Sequence, residues 1–166
     1  MNDLEALKKI NDAFGATPRP EHFTNYRHCP ECAEHDELLR SRNLKTLSLA
    51  DVGNPGWDPI CFVTNEGFKY WMPALAKLAL EPETEQYDWY LPQLLFHLND
   101  RGKPNNYRGK SKRYLADASP QQYNAVTQFL IYIEDTRPEL VDKYGVKEEL
   151  KDTIDLWANN SLRARR

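Results

Sequence analysis

A chain of 166 residues, 40% apolar and 11% aromatic, has the length and the hydrocarbon for one domain with one core. Its 22 Lys and Arg against 25 Asp and Glu leave a net charge of −3, which argues against nucleic acid held over the whole surface. Three cysteines, two of them in a single CxxC, are not the framework of a disulfide-built secreted domain, and no apolar run is long enough for a bilayer. The first residues, Met1-Asn2-Asp3-Leu4-Glu5, lack the basic start and apolar middle of a signal peptide, so the expected address is the cytoplasm, with no membrane partner.

Leu4, Leu7, Ile10 and Phe14 recur at helical spacing behind Asn2 or Asp3 as a cap, and Gly15 ends this first helix. Pro18 and Pro20 keep residues 15–30 extended. His28 or Cys29 caps a second helix with Pro30 in its first turn, where a missing N–H costs nothing. That helix carries Leu38 and Leu39 and stops near Asn43. Residues 44–60 read as a loop, dense in turn formers from Gly53 to Pro59, with Trp57 expected to pack into a neighbour. Ile60-Cys61-Phe62-Val63 suits a short buried strand or an extended lead-in. Thr64 then caps a third helix through Phe68, Trp71, Met72, Leu75, Leu78 and Ala79, which Pro73 should kink or restart by displacing the bond to Lys69.

Segment 83–99 repeats the pattern with Tyr87, Tyr90, Leu91, Leu94, Leu95 and Leu98 on one face and Pro92 inside. A mobile basic loop is expected at 100–117. Ser119-Pro120-Gln121-Gln122 is a capping box that opens a helix through Tyr123, Val126, Phe129, Leu130 and Ile133, closed by Pro138. A last helix from Lys147 carries Leu150, Ile154 and Trp157 into a basic tail. The expected fold is mainly α: a single irregular helical domain over residues 1–166, with about six helices, kinked Pro-containing members and at most a minor short strand.

The run His28-Cys29-Pro30-Glu31-Cys32-Ala33-Glu34-His35 gathers two of the three cysteines and two of the four histidines. Thiols and imidazoles bind zinc or exchange electrons. As a zinc site, Cys29, Cys32 and His35 supply three ligands, with His28, His22 or Cys61 as the fourth, although no second CxxC, CxxH or HxxxH pair exists. Zinc there would clip the proline-rich segment 15–30 to the body. As a redox site, Cys29 at a helix N-terminus is the thiolate and Cys32 its resolving partner. Cys-Pro-x-Cys resembles the glutaredoxin motif, but Glu21-His22-Phe23-Thr24-Asn25-Tyr26-Arg27 is a poor central strand and a βαβ pattern is missing. The third reading makes both cysteines core residues.

Arg101, Lys103, Arg108, Lys110, Lys112 and Arg113, with Tyr107 and Tyr114 between them, form a weak candidate for phosphate or single-stranded bases, and a solvated loop is the plainer reading. No GxSxG, glycine-rich phosphate loop or HExxH is found, so a non-enzymatic role is favoured. His97, on an apolar helix, reads as a hydrogen-bonded, half-buried residue rather than a base.

The order of pieces carries a likeness. Ile10-Asn11-Asp12-Ala13-Phe14 precedes the His28–His35 run, followed by Asn54-Pro55-Gly56-Trp57-Asp58-Pro59. Glu66-Gly67-Phe68-Lys69-Tyr70-Trp71-Met72-Pro73-Ala74-Leu75 and Gln121-Gln122-Tyr123-Asn124-Ala125-Val126 complete it. Over nearly its whole length the chain resembles a group of small uncharacterised bacterial proteins classed as a domain of unknown function. The resemblance implies a bacterial cytoplasmic origin and no activity. The function expected is a helical protein-interaction module, with an unknown protein partner and a Cys/His zinc site; the alternative is a thiol-redox protein using Cys29 and Cys32.

Overall fold

The computed structural model describes residues 1–99 and 118–163, with side chains through Asn160. Among these residues lie eight α-helices: α1 (Asp3–Phe14), α2 (Pro30–Arg40), α3 (Leu49–Val52), α4 (Asn65–Leu80), α5 (Leu91–Leu98), α6 (Pro120–Thr136), α7 (Pro138–Lys143) and α8 (Lys147–Arg163). Two 3-10 turns, Pro55–Trp57 and Pro59–Phe62, lie between α3 and α4. The mainly helical expectation holds. The basic stretch expected at 100–117, including 101–114, lies outside the described residues, as do the last three residues of the tail.

Local chemistry sets most helix starts. Asn2 with Glu5, and Ser119 with Gln122, form reciprocal capping boxes, and Thr64 accepts the Gly67 N–H. Five helices then build the main core: α6 packs on α8 and α1, α1 on α4, and α4 on α5. Ile10, Trp71, Leu75, Leu94, Val126, Leu130, Ile133 and Leu150 are fully buried among them. Trp157, on α8, donates its indole N–H to the carbonyl of Leu98 at 3.0 Å, which satisfies one of the acceptors that the end of α5 leaves open.

Several sequence expectations are corrected. Ile60–Val63 is not a strand: Pro59–Phe62 makes a 3-10 turn, and the β pairing found is the isolated bridge Thr24–Val63. The Asp58 side chain accepts the Ile60 N–H and starts that turn, with Pro59 at its first position. Trp57 does not disappear into a neighbour, and 46% of it is exposed. Pro73 lies inside α4 as expected and does not restart it, since one helix runs from Asn65 to Leu80. Pro92 is not internal: α5 starts at Leu91, so the proline sits in the first turn, where no intrahelical bond is lost. Residues 83–90 instead form turns, with the Thr84 N–H donating to the Tyr87 carbonyl at 2.9 Å. Pro138 opens a new helix as well as closing α6.

The segment before α2 is held by protein hydrogen bonds and a buried ring. Asp36, 3% exposed, accepts the Phe23 N–H at 2.6 Å and the Thr24 N–H at 3.1 Å on Oδ1, and His22 Nδ1 approaches Oδ2 at 2.6 Å. Thr24 Oγ1 donates to the Cys32 carbonyl at 2.7 Å, and Phe23 is wholly buried. The Thr64 N–H donates to the Phe23 carbonyl at 2.8 Å, so this strap is fixed to α2 on one side and to the head of α4 on the other. Gly67 permits the second contact, because a Cβ there would stand 3.2 Å from the Phe23 carbonyl oxygen. Arg19 adds a clamp: its guanidinium donates to Tyr70 Oη at 3.0 Å and to the Arg40 carbonyl at 2.9 Å.

Candidate functional site

Cys29 caps α2 in extended conformation (φ −161°, ψ 163°), and its sulfur accepts the Cys32 N–H at 3.3 Å. A cap side chain folds back over the first turn, and that turn carries residue 32 to the same edge. The two sulfurs therefore meet, 3.1 Å apart, both as free thiols. A turn closed by the His28 N–H on the Asn25 carbonyl brings His28 alongside, with Nδ1 3.8 Å from the Cys32 sulfur. Cys29 is half-buried, Cys32 is buried at 2% exposure, and His28 faces solvent. Hydrogen bonding from Cys32, then from His28, then from the Cys32 backbone N–H, brings the Cys29 thiol down from an ordinary 9.0 to about 7.

The gathered group is His28, Cys29 and Cys32, with donor atoms within 4.8 Å of one another; His35 does not join it. The His35 ring turns inward, stacked on Phe62 at 4.5 Å between centroids and tilted against Trp57 at 4.8 Å. Neither of its nitrogens has a hydrogen-bond partner, since the Glu31 carboxylate stops at 3.7 Å. Burial, opposed by Glu31, Asp58 and Glu34, holds its pKa below the usual histidine value. His22 is committed to Asp36 and stacks on Tyr26 at 3.9 Å.

Cys61 belongs to a second group. Its sulfur, an Asp58 carboxylate oxygen and a ring nitrogen of His97 lie within 4.8 Å of one another. Asp58 and His97 are buried at 4% and 2% exposure, while Cys61 is exposed. His97 Nε2 stands 2.7 Å from Asp58 Oδ2, which also accepts from Gln93 Nε2 at 3.1 Å, and Asp58 Oδ1 accepts the Ile60 N–H at 2.9 Å. The other ring nitrogen, His97 Nδ1, is buried without a partner, and so is Tyr90 Oη. Burial, then the charges of Asp58 and Cys61, pushes Tyr90 ionisation well above its ordinary range.

His97 is thus wholly buried, and its role beside Asp58 and Cys61 escaped the sequence reading. Half of the signal was present. Cys29-Pro30-Glu31-Cys32 and Asp58-Pro59-Ile60-Cys61 share one pattern: a capping residue, proline at the first helical position, and cysteine three residues after the cap. Each brings a cap side chain and a thiol together. The partner 36 positions downstream of Cys61 is a matter of tertiary packing alone. An open groove lined by Lys45, Ser48, Lys77, Glu81, Glu85 and Tyr87 shares no residue with either group.

Fold and sites together define a mainly helical chain with two thiol-bearing clusters, and no described helix is long and apolar enough to cross a membrane. The chain belongs to DUF6714, a family of unknown function whose model matches residues 2–161. No curated protein and no solved structure matches it.

Proposed function

We propose that this protein works as a cytoplasmic dithiol, with Cys29 attacking and Cys32 resolving. The observation that carries the reading is the asymmetry of the pair: a half-exposed cap sulfur with a lowered pKa, 3.1 Å from a buried partner sulfur. The Cys29 thiolate attacks one sulfur of a disulfide in a partner polypeptide. The partner's S–S bond breaks, one of its sulfurs leaves as thiolate, and a mixed disulfide with Cys29 forms. Cys32 then loses its proton and attacks the Cys29 sulfur, releasing the partner's second thiolate. Two electrons pass to the partner, and Cys29 and Cys32 are left joined. The glutathione or thioredoxin pool of a reducing compartment would restore the dithiol.

Oxidised glutathione tests this on the fully reduced, tag-free chain. The expected product is an intramolecular Cys29–Cys32 disulfide, reversed by dithiothreitol, while Cys32→Ser stops at a glutathione adduct on Cys29. Adducts that accumulate equally on Cys29 and Cys61 in the native chain would defeat the reading.

A second reading, a zinc-bearing interaction module, draws on His28 Nδ1 beside the Cys32 sulfur. Against it stands the strap: residues 22–24 are already fixed through Asp36, Thr24 and buried Phe23, so no metal is needed to tie this segment to the body. Zinc that copurifies and is lost in Cys29→Ser would favour this second reading.

A further inference from the structure

The buried carboxylate–imidazole pair of Asp58 and His97 has an exposed thiol at its edge, and unpartnered polar groups stand around it. Such groups are costly: a buried donor or acceptor without a partner loses hydration that nothing restores. His97 Nδ1 and Tyr90 Oη are both in this position. They stand at the end and the start of the 90–97 segment, whose His97 pairs with Asp58. The carboxylate, the imidazole and the thiol meet within 4.8 Å at this polar spot in the core.

We infer that Asp58, Cys61 and His97 form a zinc-binding site. Carboxylate oxygen, thiolate sulfur and imidazole nitrogen are all zinc donors, and the thiolate disfavours magnesium and calcium, which take oxygen. The donors come from a rigid frame. Asp58 is fixed by the Ile60 N–H and by Gln93, Cys61 rides the 3-10 turn that Asp58 itself starts, and His97 sits in the last turn of α5. Zinc ligands lie about 2.0–2.3 Å from the ion. The 2.7 Å between His97 Nε2 and Asp58 Oδ2 therefore has to open slightly as the ion replaces the shared proton. Cys61 gives up its proton on binding, so binding tightens as pH rises. Three protein donors leave one position for water, and such water ionises near pH 7. Trp57 and Phe96, 46% and 50% exposed, border this region through His35 and His97.

The experiment uses the full chain as Cys29→Ser/Cys32→Ser, which removes the other thiol group, so failure of the dithiol reading leaves this test untouched. After chelation, zinc and then cobalt are titrated, with circular dichroism to verify the fold. The site predicts one equivalent of each, and cobalt gives the thiolate charge-transfer band and the intense visible bands of a tetrahedral ion. Adding Cys61→Ser, a change at an exposed position, should remove the charge-transfer band and weaken binding at least about tenfold. His97→Gln should weaken it as much. Because that buried change risks the fold, protection of Cys61 from iodoacetamide by one equivalent of zinc supplies an independent readout. A folded double variant that binds no zinc, binds it undiminished with Cys61→Ser added, or gains no protection of Cys61 overturns the site.

Discussion

The carboxylate of Asp36 receives the backbone N–H of Phe23 at 2.6 Å across 13 residues, and this one bond decides where the CxxC turn stands. Asp36 lies one helical turn beyond Cys32, and Thr24 returns the contact by donating to the Cys32 carbonyl. Residues that precede α2 are thereby laid along it, and the His28–Cys29 corner follows.

Removing that carboxylate should be severe. Asp36→Ala strands two buried N–H groups, each worth about 1–3 kcal/mol, so a loss of about 3–5 kcal/mol is expected. Asp36→Asn keeps an acceptor and should cost about 1–2 kcal/mol, the difference between charged and neutral bonds. Urea midpoints at constant slope measure both, and equal losses would show that a neutral acceptor cannot stand in for the carboxylate.

The Cys29 thiol should react as a group titrating near pH 7, with iodoacetamide rates half-maximal there. Cys32→Ala removes the largest cause of the depression and should move the profile toward the ordinary value of 9.0. The stability sign follows from linkage. The folded pKa lies below the unfolded one, so the contribution is complete above about 9 and fades as pH falls to about 7.

His35 should add acid sensitivity at lower pH. Its folded pKa lies below the unfolded 6.5, so the unfolded chain binds the proton first and stability falls as pH drops through that value. His35→Phe retains a ring against Trp57 and Phe62 and removes the titration. Melting temperatures from pH 7.5 to 5 should fall less for this variant than for the native chain, and identical slopes would falsify the assignment.

Trp157→Phe tests the main core. The smaller ring deletes the donor to Leu98 and leaves space beside Tyr123, its edge-on partner at 5.7 Å. A loss of about 2–4 kcal/mol is expected by chemical denaturation.

Helix identity was largely readable from residue order because its causes are local. Asn2, Thr64, Ser119 and Cys29 cap the helices assigned to them, and apolar spacing marked the buried faces of α1, α4, α6 and α8. The errors cluster where a proline was read alone. Pro59 and Pro92 start elements, because the neighbouring cap decides what a missing N–H costs, whereas Pro73 lies inside α4 as its spacing indicated.

Composition, capping pattern and cysteine spacing were enough to specify a helical domain and to bring Cys29 against Cys32, since a cap and its first turn are four consecutive residues. Tertiary structure alone turned His35 inward, away from the sulfurs, and carried His97 to Asp58 and Cys61. The physical reason is reach: a side chain's partner within one turn is dictated by backbone geometry, whereas a partner on another helix depends on which apolar faces pack and at what height.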